Sequence, residues 1–123
     1  MNLPEITHQN IAQLLNKETI IHETIAQIQK DFGMYSIEIN FDGNTETAYE
    51  QLMNQLSVEI TKLLNNDKSK LQSILYRIDL SERNIQLAKN ASQNKEITQV
   101  ISHEIIVREL KKVLTRNYFK SLA

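Results

Sequence analysis

The heptapeptide His103-Glu-Ile-Ile-Val-Arg-Glu109 begins as a zinc-protease helix would, with a histidine followed by a glutamate. A zinc clamp on a helix needs a second imidazole one turn further on, and Val107 stands there, so the match fails. His22 lies one turn after Glu18, a pairing that two metal ligands could adopt but that is far commoner as a surface contact. His8 has no such neighbour. Asp42, Asn44 and Glu46 alternate like the first ligands of a calcium loop. That loop requires a glycine at its sixth position, where Thr47 stands, and a distal bidentate glutamate that is missing. A turn leading into a helix explains these residues better.

Two glycines in the whole chain, Gly33 and Gly43, leave no material for a phosphate-binding loop or a nucleophile elbow. The absence of cysteine removes thiolate metal sites and disulfides. Arg77 and Asp79 within "ILYRIDL" read as a helix edge with packed stems and solvated charges. No arrangement for catalysis, metal or cofactor emerges. An enzyme would need a site assembled at an oligomer interface.

The remaining chemistry is electrostatic. Arg108, Lys112, Arg116 and Lys120 follow at four-residue steps, with Lys111 nearby, and form a basic stripe. Such a stripe can track the phosphates of RNA or DNA. It can equally be a solvated helix face, since cations complement the C-terminal end of a helix dipole. Charge is divided between the halves of the chain. Residues 1–61 hold two lysines against nine acids, and residues 62–123 hold twelve basic residues against six acids. The halves therefore either neutralise each other on folding or present an anionic partner with a basic face.

Four helical stretches must position these groups. The first is expected from near Pro4 to Phe32, with Gly33 as its stop. Ile11, Leu14, Glu18, Ile21, Ile25, Ile28 and Phe32 form its heptad-like seam, which suits a long bundle helix or a coiled coil. A second helix follows the capping-box pattern Thr47-Ala-Tyr-Glu50. Its stripe is Tyr49, Leu52, Met53, Leu56, Ile60, Leu63 and Leu64, and Asn65-Asn66-Asp67 stops it. The third opens near Lys68 and carries Leu71, Ile74, Leu75, Ile78, Ile85 and Ala88 on one face; Asp79-Leu-Ser-Glu82 has a second capping-box pattern, so the helix either continues or breaks near Asp79. After "NASQNKE" the fourth runs from about Lys95 towards the C-terminus.

Between the first two helices, "GMYSIEINFDG" alternates Tyr35, Ile37, Ile39 and Phe41 with polar residues, which is strand spacing. A lone strand leaves peptide groups unpaired. It can form a hairpin through Asp42-Gly43 with Thr45, Thr47 and Tyr49 as the return strand, pair with the same segment of a second molecule, or tuck in as a connector. In the fourth helix Ile97, Val100, Ile101 and Ile105 share one face, whereas Ile106, Leu110, Val113 and Leu114 gather on nearly the opposite one. In the third helix Tyr76, Leu80 and Leu87 lie off the main stripe. Surplus apolar surface of this kind marks an interface.

The expected fold is mainly α, a single domain over residues 1–123, built as a bundle of about four helices with one extended or strand segment at residues 34–42. The expected function is binding: a small, non-catalytic helical protein that pairs with itself as a homodimer or with another protein. The expected interface is Tyr35, Ile37, Ile39, Phe41, Ile106, Leu110, Val113 and Leu114. The alternative is a nucleic-acid- or ribosome-associated factor that uses Arg108, Lys112, Arg116 and Lys120. No apolar run approaches the roughly 18–20 residues of a membrane span, and "MNLPEITHQN" has neither the basic start nor the apolar core of a secretion signal. Cytoplasm is the expected compartment.

Overall fold

The structure, a computed structural model, describes residues 18–121. The expected start near Pro4, the seam residues Ile11 and Leu14, and His8 lie outside the described residues. Within them the chain is mainly helical: α1 (Glu18–Gly33), a 3-10 turn (Thr45–Thr47), α2 (Ala48–Asn66), α3 (Lys68–Ile78), α4 (Glu82–Ala91) and α5 (Ile97–Ser121). The four anticipated helices are five among the described residues, because the third does break at Asp79.

The break is built from local chemistry. Asp79 adopts a left-handed conformation (φ 67°), and its N–H and that of Leu80 bond back to carbonyls of the last turn of α3. These bonds satisfy helix-end carbonyls in the manner usually served by glycine. Two residues later the Ser81 hydroxyl accepts the Asn84 N–H, while the Asn84 side chain bonds the Ser81 N–H, a reciprocal cap that starts α4. Asp67 likewise separates α2 from α3, its carboxylate accepting the Lys70 N–H at 3.0 Å. The capping box expected from Thr47 and Glu50 is not formed. Asn44 caps the preceding 3-10 turn instead, accepting from the Glu46 N–H at 3.1 Å, and Thr47 makes no side-chain cap bond.

Ile21, Ile25, Ile28 and Phe32 of α1 are all buried, as are Leu52, Leu56, Ile60 and Leu63 of α2, so both periodic faces point into one core. Glu18, the polar interruption of the α1 seam, is exposed. Helix α5 is the hub, packed against α1, α2, α3 and α4.

The segment between α1 and α2 is extended but forms no strand within the chain, which corrects the hairpin. The residues proposed as a return strand, Thr45, Thr47 and Tyr49, lie in the 3-10 turn and the start of α2. The alternation is nevertheless real, because Ile37 and Ile39 are buried while Glu38 and Asn40 face solvent. Glutamine side chains take the place of a neighbouring strand. Gln55 accepts the Asn40 N–H at 2.7 Å and donates to the Asn40 carbonyl at 2.6 Å. Gln51 accepts the Asp42 N–H at 3.2 Å, and from α1 Gln29 donates to the Ile39 carbonyl at 3.0 Å. Satisfying these peptide groups lets the isoleucines enter the core without a second strand.

Candidate functional site

The two apolar faces of α5 that read as surplus surface are consumed within the monomer. Val100, Ile101 and Ile105 on one side and Ile106, Leu110 and Val113 on the other are all buried, and Leu114 packs half-buried against the same core. A helix placed at the centre of a bundle needs apolar residues nearly all round, and that is the physical reason for its change of face. Of the expected interface residues, Ile37, Ile39, Ile106, Leu110 and Val113 are buried within the single chain. Tyr35 and Phe41 are half-buried. The Tyr35 hydroxyl donates to the Ser73 carbonyl at 3.3 Å, and the Phe41 ring meets His22 edge-on at 5.8 Å.

The basic stripe is partly neutralised by the fold. Arg108 pairs with Asp79 at 3.0 Å and reaches the Ile78 carbonyl; Lys112 pairs with Glu109 at 3.4 Å. Arg116 lies 3.7 Å from Glu23 and donates to Gln27 at 3.2 Å, while Lys120 is exposed. Arg77 turns away from Asp79 and bonds Asp31 at 2.9 Å. Through Arg77–Asp31 and Arg116–Glu23 the basic half of the chain closes onto the acidic half.

Asp31 and Glu109 are charged residues that the sequence reading passed over. Each occupies a core-facing helical position: Asp31 follows Ile28 by three residues, and Glu109 follows Ile105 by four. A carboxylate in register with isoleucines was the available signal. Asp31 is 2% exposed and Glu109 is 0% exposed. Burial alone would raise Asp31, but bonds to Glu109, Gln27 and Arg77, with Lys112 close by, hold its carboxyl below the ordinary value. Burial pushes Glu109 the other way, up to about 8, and the neighbouring Asp31 adds to the effect against the opposing pull of Lys112.

The other polar candidates are satisfied locally. His103 Nδ1 and the Tyr49 hydroxyl are 2.7 Å apart, beside a cavity of about 330 Å³ that reaches Met53, Ala88 and Val100. Glu18 and His22 are 3.9 Å apart and largely exposed. The Asp42 carboxylate accepts from the Asn44 N–H and Gln51, which lowers its pKa and commits it to the turn. Among the described residues no three His, Asp or Glu side chains converge on a metal-sized space. No helix among them is long and apolar enough to cross a membrane.

One of several open depressions is a groove of about 590 Å³ where the end of α2, α3, α4 and the start of α5 meet. Leu71, Leu75, Leu80, Ile85 and Ile101 form its buried floor. Tyr76 stands at its edge 88% exposed, and Ile97, 39% exposed, lines the same space. Of the three off-stripe residues of the third expected helix, Tyr76 on α3 and Leu87 on α4 are exposed, whereas Leu80 is buried. The chain matches no protein-family model, no curated protein and no solved structure. The reading of the groove therefore rests on its own geometry.

Proposed function

We propose that the protein is a small, non-catalytic helical interaction protein that pairs with a second copy of itself through the α3–α4 groove. The observation that carries this reading is Tyr76, an aromatic side chain left 88% exposed beside an apolar depression. A two-fold interface requires one surface to supply both knob and hole, and this face has both. An amphipathic tyrosine is also the kind of anchor that dominates interface energetics. A stable pairing needs on the order of 500 Å² of surface per chain, so the contact would extend beyond the groove over neighbouring residues of α3 and α4. The partly neutralised basic stripe supports a protein partner over a nucleic acid, because Arg108 and Arg116 would have to exchange existing ion pairs for phosphates.

Sedimentation velocity at about 50 µM, a concentration suited to the micromolar affinities of modest interfaces, tests the reading. The wild-type chain is expected to sediment as a dimer. Tyr76→Glu is expected to sediment as a monomer with unchanged helical circular dichroism, because Tyr76 lies outside the core. A wild-type monomer would overturn self-pairing and leave the groove to a different protein.

A further inference from the structure

We infer that Glu109 and Asp31 share one proton in the folded chain, and that this proton is a latch fastening α5 to α1. The geometry demands a proton. Both carboxyl oxygens of Glu109 are buried and neither accepts a hydrogen bond. The Lys112 ammonium, at 3.4 Å, is an ion-pair neighbour rather than a close donor. Asp31, by contrast, is filled with donors: Arg77 Nε at 2.9 Å on one oxygen and Gln27 Nε2 at 3.1 Å on the other. Two carboxylates repel, whereas a carboxylic acid facing a carboxylate makes a charge-assisted hydrogen bond. Glu109 is the member without donors, so Glu109 holds the proton and donates it to Asp31.

The surrounding charges fit this state. Asp31 comes from α1, Arg77 reaches it from α3, and Lys112 lies one turn along α5. Arg116, one further turn along, is engaged with Glu23 and Gln27. With Glu109 neutral, Asp31 balances Arg77, and the Lys112 side chain keeps 27% of its surface in solvent. Loss of the proton places a second negative charge beside Asp31 at the point where α1, α3 and α5 meet. The bundle thus takes up a proton on folding and loses the bond between α5 and α1 when that proton leaves.

The folded value of Glu109, about 8, lies above the ordinary 4.5. For a group raised in this way, its contribution to stability is complete below pH 4.5 and is lost as pH rises towards 8. Asp31 is shifted downwards, so its contribution fades only in acid, below this window.

The test compares wild type with Glu109→Gln, which keeps the shape and the donor of the protonated acid. Urea unfolding is followed from pH 5 to pH 9.5. The folding constant of wild type relative to the variant is expected to fall about tenfold per pH unit up to pH 8 and then level off. Histidine titrations are common to both chains and cancel in the ratio. Carboxyl 13C shifts of the wild-type chain are read in parallel, with the Glu109 signal expected to titrate near 8, and they decide the matter alone if the variant does not fold. A Glu109 signal that titrates between 4 and 5, or identical pH profiles for the two chains, would overturn the latch.

Discussion

Replacing Leu110 with alanine separates a core helix from an interface helix. Leu110 is fully buried within one chain and belongs to the main apolar cluster, on the helix that contacts four others. Truncation removes three carbons from that environment, a transfer loss of roughly 2 to 2.5 kcal/mol at about 0.8 kcal/mol per group. The void left behind adds on the order of 1.5 kcal/mol at about 24 cal/mol per Å³ for a cavity of roughly 60 Å³. Neighbours from several helices meet at this site and cannot all collapse inwards, so a total of about 4 kcal/mol is expected. The assay is urea unfolding by circular dichroism in the Tyr76→Glu background, where subunit association no longer contributes. The midpoint should fall while the denaturant slope stays constant, since the surface exposed on unfolding barely changes. A loss below about 1 kcal/mol would refute the placement of Leu110 at the centre of the bundle and restore α5 as an exposed contact face.

At the α3–α4 junction, Asp79→Gly is expected to raise stability by about 0.5 to 1 kcal/mol, because its left-handed backbone suits glycine and its exposed pairing with Arg108 contributes little. Asp79→Val should lower it by about 1 to 2 kcal/mol, and thermal melts that rank the two the other way would contradict the backbone geometry. Gln55→Ala should free both peptide groups of Asn40 and accelerate hydrogen exchange at its amide about tenfold or more, while core amides of α5 stay protected. Equal protection in the variant would mean that the glutamine does not hold the connector.

The helices, their stops and the break at Asp79 were legible because they rest on local chemistry. Apolar residues at three- and four-residue steps and the polar stop Asn65-Asn66-Asp67 act within a few residues of themselves, although the cap that starts α4 uses Ser81 and Asn84 rather than Asp79 and Glu82. The extended segment was legible as non-helical for the same reason, since Ile37 and Ile39 alternate with Glu38 and Asn40. Its partners were not legible. Gln51 and Gln55 are unremarkable surface residues of an amphipathic helix until the connector lies against them. What covers the second face of α5 was not legible, because periodicity reports how many sides of a helix are apolar but not what packs on them. Ile106, Leu110 and Val113 are buried within the bundle, while Tyr76 stays 88% exposed. Asp31 and Glu109 have no ligand-like spacing, and what sets them apart is that they share a face with core isoleucines.

The glutamine clamp has a consequence for how this chain meets its neighbours. One step of four residues along a helix advances roughly 6.0 Å, and two residues along an extended chain advance roughly 6.6 Å. The two rulers nearly agree over a single step, which is why Gln55 meets Asn40 and Gln51, four residues earlier, meets Asp42. They drift by about 0.6 Å with each further step, so a helix can line the edge of an extended segment only over a short length. Here that length covers the part of the connector with the clearest alternation of apolar and polar residues. Open strand edges recruit other chains by backbone pairing, and natural proteins blunt them with charges, prolines or bulges. This chain occupies its edge with carboxamides that imitate a neighbouring peptide, so a sequence with the pattern of an aggregation-prone strand offers its matched hydrogen-bonding groups to its own helix before any other molecule can reach them.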